Sequence, residues 1–181
     1  ALLELNLEIL NELKSKNTNV CSISPKENNV ISIIPESKEL GYVGKPKKIN
    51  KEKILNFINN KQIPIVVPLG LGDDGRIYNI NADVAAGSIA KEIDARRLLL
   101  MTDVEGVLDE NQKLISEINL NKANEMLKNN IISGGMIPKI NTCLDAISNG
   151  VRGVVIVDGR KPHSILFELF SDKGAGTLIR K

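Results

Sequence analysis

The sequence predicts an α/β protein in which a mainly parallel sheet carries helices on both faces. Throughout the second half of the chain, short runs rich in Val, Ile and Leu alternate with stretches of helical apolar period. The runs are short, continuous and β-branched, as strands covered on both faces are. The chain has 181 residues, 42% hydrophobic and 25% charged, enough to bury a core without disulfides. That core forms one compact domain, or one domain built as two lobes.

Leu3, Leu7 and Leu10, with Glu4, Glu8, Glu12 and Lys14 between them, place an amphipathic helix over 2–16. Residues 20–24 and 30–34, bounded by Pro25 and Pro35, read as strands. Residues 40–43 and 47–49 read as a small hairpin around Gly44, Lys45 and Pro46. Asn50 caps a helix running to Asn60, with Ile54, Phe57 and Ile58 on one face. Residues 63–68 form a continuous strand-like run, and a brief strand follows at 76–78. Asn81 then opens a helix whose Ala82, Ala85, Ala86, Ile89, Ala90 and Ile93 form a narrow stripe suited to close packing. A buried strand at 98–102 comes next. Leu120, Ala123 and Leu127 mark one helix; Ile137, Ile140, Leu144 and Ile147 mark another, ended by Gly150. A strand at 153–157, a helix at 162–170 and a strand at 177–179 complete the pattern.

Charge and composition exclude several classes of function. Lys plus Arg number 24 and Asp plus Glu 22, a net charge of +2. That balance lacks the basic excess of a nucleic-acid or membrane-surface protein, so neither partner is expected. One histidine, His163, cannot build a multi-histidine metal site, and no protein metal site is predicted. Cys21 and Cys143 fit no zinc or redox spacing and point to a reducing compartment. No apolar run approaches the roughly 20 residues that span a bilayer. Asn, Ile and Lys, which have A/T-rich codons, are abundant and point to a low-GC genome, that of an organelle or a reduced bacterium.

Gly70-Leu71-Gly72-Asp73-Asp74-Gly75 matches the dinucleotide-binding pattern letter for letter. That pattern needs a helix N-terminus to meet the pyrophosphate, and here Arg76-Ile77-Tyr78 continues as a strand. A hairpin turn on Asp74-Gly75 explains the residues better. Ser133-Gly134-Gly135-Met136-Ile137-Pro138-Lys139 places proline in a first helical turn, after glycines that leave backbone N–H groups open. With the helix dipole and Lys139 about one turn in, this is an anion site suited to phosphate, or a helix cap beside a surface lysine. Asn79, Asn81 and Asp83 read as a cap with a first-turn acid, or as two amides for a polar substrate with an aspartate that orients lysines. Asp103 and Asp109 flank Val104-Glu105-Gly106-Val107 just beyond a strand's carboxyl end, where open α/β sheets bind ligands. A polar loop with a turn glycine accounts for the same residues. Asp158-Gly159-Arg160 reads as a strand-to-helix turn.

Taken in order, these segments resemble the acetylglutamate kinases of the amino acid kinase superfamily. The similarity is carried by Pro68-Leu69-Gly70, Asp74-Gly75, the run from Tyr78 to Asp83, Thr102-Asp103-Val104-Glu105-Gly106-Val107, the run from Ser133 to Lys139, and Asp158-Gly159-Arg160. It is dense from about Leu40 to the end and thinner over residues 1–39. The resemblance implies a three-layer αβα sandwich of two lobes, with 1–95 the remainder of the acyl amino acid-binding lobe and 96–181 the nucleotide-binding lobe. It implies ATP-dependent phosphorylation of the side-chain carboxylate of N-acetyl-L-glutamate in arginine biosynthesis, with ATP as co-substrate and Mg2+. By position, Lys139 matches the lysine that stabilises the transferring phosphoryl group, and Asp83 the aspartate that organises catalytic lysines. Asn79 matches a contact to acetylglutamate, with Asn81 beside it. Thr102, Asp103, Val104, Glu105, Gly106 and Val107, together with Ile131, Ile132, Ser133 and Gly134, match the nucleotide-binding segments.

The resemblance further implies a homo-oligomer, dimer or hexamer, a PII-type signalling partner, and the cytoplasm or plastid stroma as compartment. His163, Glu168 and residues 174–176 resemble a region that binds feedback arginine in sensitive members. Two alternatives accompany this reading: another amino acid kinase acting on glutamate, aspartate, carbamate or UMP, and a truncated, non-catalytic nucleotide-binding regulatory module. The family's first-strand lysine, its glycine-rich turns and its acceptor-clamping arginine have no counterpart here, and residues 1–16 match a later family helix. Ser24-Pro25-Lys26-Glu27-Asn28 stands where the family tends to have glycines. These 181 residues alone are therefore expected to bind nucleotide weakly and turn over poorly. Comparable acetylglutamate-dependent ADP release by this chain and by a longer one would contradict that.

Overall fold

Local sequence and packing divide the chain into two units, Ala1–Ile93 and Asp94–Lys181. The computed structural model describes residues 1–172 and 174–181. The first unit runs α1 (Leu2–Ser15), β1 (Val20–Ile23), β2 (Ile31–Pro35), β3 (Gly44–Ile49), α2 (Lys51–Asn59), β4 (Ile63–Val66), β5 (Leu69–Gly72), β6 (Ile77–Asn79) and α3 (Ala82–Glu92). The second runs β7 (Leu98–Thr102), β8 (Glu117–Asn119), α4 (Leu120–Lys128), α5 (Met136–Ser148), β9 (Gly153–Asp158), α6 (Ser164–Phe170) and β10 (Gly176–Arg180). The fold is α/β, and its strands form three sheets rather than one. The pairs β1–β4, β2–β5, β7–β9 and β8–β10 are parallel, while the other three are antiparallel. Among the described residues no helix is long and apolar enough to cross a membrane.

In the first unit, β1 and β4 pair in register from Val20 with Ile63 to Ile23 with Val66. α1 lies against both strands. Its inner face carries a buried asparagine as well as Leu10. Asn6 Nδ2 donates to the Ile65 carbonyl at 3.0 Å, and Ser22 Oγ donates to Asn6 Oδ1 at 2.6 Å. The buried amide is thus satisfied and fixes the helix to both strands. The four-stranded sheet has the order β3-β2-β5-β6. Its core is mostly isoleucine, with Ile23, Ile31, Ile33, Ile49, Ile54 and Ile80 buried beside Tyr78 and Ala85.

The hairpin expected within 40–49 is not the one that forms. β3 pairs antiparallel with β2, Ile31 opposite Ile49 and Pro35 opposite Gly44, so Gly44, Lys45 and Pro46 lie within a strand. They read as a turn because glycine and proline punctuate sequences. β3 is an edge strand, however, where proline is tolerated and exposed lysines such as Lys45, Lys47 and Lys48 deter further pairing. The dinucleotide-like run does form a hairpin. Gly70 pairs with Tyr78 and Leu71 with Ile77 around a turn in which Gly75 takes φ +76°. Asp74 accepts from the Arg76 N–H and from the Tyr78 hydroxyl, closing that turn. Gly70 is glycine for packing, since a Cβ there would lie 2.2 Å from Ile33 Cγ2.

In the second unit the order is β7-β9-β10-β8. β9 is buried at all six positions, and both α5 and α6 lie against it. β8 gives little signal in the sequence because it is short and buries only Ile118. α6 begins at Ser164, two residues after the expected start. His163 occupies its N-cap in the left-handed region at φ 60°, and Pro162 stays in the preceding turn.

Candidate active site

In the first unit, three candidate residues cluster where β6 runs into α3. Asn79 is the last residue of β6 and is exposed, its N–H donating to the Tyr42 carbonyl at 2.8 Å. Asn81 is the N-cap of α3, its side chain accepting from the Asp83 and Val84 N–H groups at 3.0 and 3.2 Å. Its oxygen thus serves the cap, and only its NH2 group is left to meet a ligand. Asp83 is half-buried in the first turn, where the partial positive charge of the helix end favours a carboxylate. Small residues behind it, with Ala85, Gly87 and Ala90 buried, let α3 lie close against β3.

The second unit brings the two predicted nucleotide segments to one cavity. Val104, Gly106 and Val107 line it from the loop after β7, and Ile131, Ile132 and Ser133 from the turn before α5. Leu108, Asp109, Gln112 and Met136 complete a space of about 200 Å³. Of the other predicted residues, Thr102 ends β7 and donates from its hydroxyl to Asp103 at 3.2 Å. Glu105 points to Lys161 and forms an ion pair with it. Gly134 takes φ +56° in the turn that leads into α5, a conformation glycine adopts without strain.

α5 starts at Met136, with Gly135 as its N-cap, so Pro138 stands in the first turn and Lys139 one residue beyond it. The amides expected to be open are partly committed. Met136 and Ile137 N–H groups donate to the carbonyls of Ser133 and Gly134, both at 3.2 Å, tightening the entry into a 3₁₀-like turn. A Cβ at Gly134 or Gly135 would meet nothing within 4 Å, so this backbone faces open space. Lys139 is half-buried. It belongs to the second unit, whereas Asn79, Asn81 and Asp83 belong to the first.

Asp158-Gly159-Arg160 is a strand-to-turn junction with more structure than its sequence suggests. Asp158 ends β9 in register with Thr102, and the Gly159 N–H donates to the Thr102 carbonyl at 2.8 Å. The buried Asp158 carboxylate accepts from Arg160 Nε and from its backbone N–H on Oδ1, and from a terminal guanidinium nitrogen on Oδ2. This fork holds the carboxyl down to about 2, with the guanidinium bonds first and the Arg160 N–H second. A carboxyl depressed in the folded state contributes stability that is present above its ordinary value and lost as pH falls through the folded one. Asp158→Asn should therefore lower the urea midpoint at about pH 7, and the gap from the parent should close as pH drops from about 4 towards 2. A gap of constant size across that window would show that the lost charge is not the cause.

Glu168, in the region that resembles an arginine-binding segment, is buried on α6. It pairs with Arg97 at 3.4 Å and accepts from the Ala175 N–H at 3.0 Å. His163 is exposed. Among the described residues no group of three or more His, Cys, Asp or Glu is placed to hold a metal ion.

The amino acid kinase family profile matches residues 1–158. The chain belongs to the amino acid kinase family. Within that family, the acetylglutamate kinase of Pelagibacter ubique (strain HTCC1062) is 56% identical over 180 residues, covering 99% of this chain and 62% of its own length. The acetylglutamate kinase of Clostridioides difficile (strain 630) is 46% identical over 182 residues, covering 98% and 64%. The chain thus spans less than two thirds of the length of these relatives. Among solved structures, carbamate kinase from Giardia lamblia bound to AMP-PNP superposes with a TM-score of 0.70 over 94% of this chain and 69% of its own. At 17% identity that likeness shows the fold alone.

Proposed function

We propose that this member of the amino acid kinase family transfers the γ-phosphoryl group of ATP to the side-chain carboxylate of N-acetyl-L-glutamate, giving N-acetylglutamyl phosphate in arginine biosynthesis. The observation that carries the reading is 56% identity to an acetylglutamate kinase over nearly the whole chain. The chemistry suits the residues present. A carboxylate acceptor is already ionised at neutral pH, so no general base is needed, and the scarcity of histidine is no obstacle. One carboxylate oxygen forms the new bond to phosphorus as the bond to the β–γ bridging oxygen breaks, and ADP leaves with that electron pair. What remains for the protein is alignment and cationic stabilisation of the phosphoryl oxygens.

In this reading residues 96–181 bind the nucleotide and residues 1–95 the acyl amino acid. The cavity between the two segments is smaller than the about 300–1,000 Å³ of sites that enclose a whole ligand, so it takes the nucleoside end. The phosphates then run along the open backbone at Gly134 and Gly135 towards Lys139, which neutralises the transferring group. Asn79 and the NH2 group of Asn81 hold the acyl amino acid. Asp83 fixes lysine ammonium groups and does not meet phosphate itself. Magnesium ion in such reactions is held largely by the phosphates, with one or two carboxylates, and screens their charge; Asp103 lies within the first nucleotide segment and Asp109 lines the cavity beside it, while Glu105, also in that segment, is paired with Lys161. A homo-oligomer, dimeric or hexameric, a PII-type partner and a cytoplasmic or plastid location belong to the same reading and rest on family resemblance.

The test is ADP release from ATP with N-acetylglutamate as acceptor, with the acyl phosphate trapped as a hydroxamate. Glutamate, aspartate, carbamate and UMP serve as competing acceptors. Turnover with one of those and none with N-acetylglutamate would overturn the assignment. Nucleotide binding without turnover on any acceptor would favour a regulatory module.

A further inference from the structure

We propose that Thr177 is a positioning residue of the nucleotide cavity, its buried hydroxyl setting the base of the hairpin that forms one cavity wall. The proposal rests on the reading of that cavity as the nucleotide site. Thr177 lies on β10 opposite Ile156 of β9 and is wholly buried. Its hydroxyl accepts from the Val107 N–H at 2.8 Å and donates to the Ile115 carbonyl at 2.6 Å. Those partners face each other across a hairpin, because the Ile115 N–H donates to the Val107 carbonyl at 2.9 Å and Leu108 bridges Leu114 beyond them. The far end is closed by Asp109, whose carboxylate accepts from the Asn111 and Lys113 amides, both at 2.8 Å. One hydroxyl therefore spans both arms, as acceptor from one and donor to the other. Val107, Leu108, Asp109 and Gln112 of this hairpin line the cavity, and Thr177 does not.

Gly106 shows how close the approach is. A Cβ there would lie 2.6 Å from Thr177 Oγ1, so glycine lets the chain close onto the hydroxyl. Removing that hydroxyl leaves a buried N–H on one arm and a half-buried carbonyl on the other facing a methyl group, and the arms must move to find other partners. The wall they form moves with them.

The experiment measures ADP binding by calorimetry and hydrogen exchange at the Val107 amide in the 181-residue chain. Its variants are Thr177→Val, isosteric without the hydroxyl; Thr177→Ser, which keeps it; and Val154→Ala, a core truncation in β9 away from the hairpin. T177V should weaken ADP binding about tenfold and speed Val107 exchange, while T177S stays within about twofold of the parent. V154A should lose stability and keep its ADP affinity. If T177V does not fold, Thr177→Cys, of similar shape and weaker hydrogen bonding, should give an intermediate loss. T177V, or T177C in its place, binding ADP like the parent overturns the proposal, as does a loss in T177S or V154A equal to that in T177V. If neither the parent chain nor a longer chain containing it binds ADP, the nucleotide reading itself fails and the proposal falls with it; Val107 exchange then reports only the hairpin contact.

Discussion

Lys139→Ala should lower the turnover number at least about a hundredfold while changing ADP affinity far less. The lysine stands in α5 just after the first turn, so its charge adds to the partial positive charge of the helix end. In the proposed complex both meet phosphate oxygens in the ground state as well. As the phosphoryl group leaves ADP, negative charge redistributes onto the atoms in transit, and a fixed ammonium there stabilises the transition state more than the bound nucleotide. The substitution should spare the fold, because alanine is the best helix former and Lys139 is only half-buried. Lys139→Arg, with its charge spread over a larger planar group, should recover part of the rate. The values to compare are kcat and KM for ATP from acetylglutamate-dependent ADP release. An unchanged kcat would remove Lys139 from this role. A loss confined to KM would make it a binding residue.

What could be read from the sequence was what local pattern encodes. β9 is a run of buried aliphatic residues and α3 announces itself by its Asn81 cap, and both stand where periodicity put them. The pattern failed where tertiary position decides. Gly44-Lys45-Pro46 looks like a turn unless the strand is known to lie at a sheet edge. Asn6 interrupts an apolar helix face and gives no hint that Ser22 and Ile65 will satisfy it. At the candidate site the glycine-rich segments were legible one by one, since each carries its own turn chemistry. Their meeting at one cavity, and the hydroxyl of Thr177 that braces its wall from 70 residues away, depend on strand order and have no local signature. The open amides inferred before Lys139 were a partial misreading, because a tight entry into α5 engages two of them.

Asp83→Asn should cut turnover by about ten- to a hundredfold and leave the fold nearly as stable as the parent. The two effects separate because α3 is capped by its neighbour. Asn81 Oδ1 accepts from the backbone N–H groups of residues 83 and 84, bonds that the side chain at 83 does not make. Asparagine keeps the size of aspartate and loses only a first-turn charge, worth about 0.3–1 kcal/mol near a helix N-terminus. A small drop in melting temperature is therefore expected. The catalytic demand on the carboxylate is greater. In the proposed reaction two anions, ATP and the acceptor, meet, and the lysines that offset their repulsion are to be held in place before the phosphoryl group moves. A neutral amide cannot hold an ammonium group with the strength of a charge-assisted bond. The variant should thus combine a near-parental melting temperature with a depressed kcat, and Asp83→Ala should be no more active than Asp83→Asn. If D83N instead turns over like the parent, or loses activity only in proportion to unfolded protein, Asp83 is a first-turn acid serving the helix and nothing more.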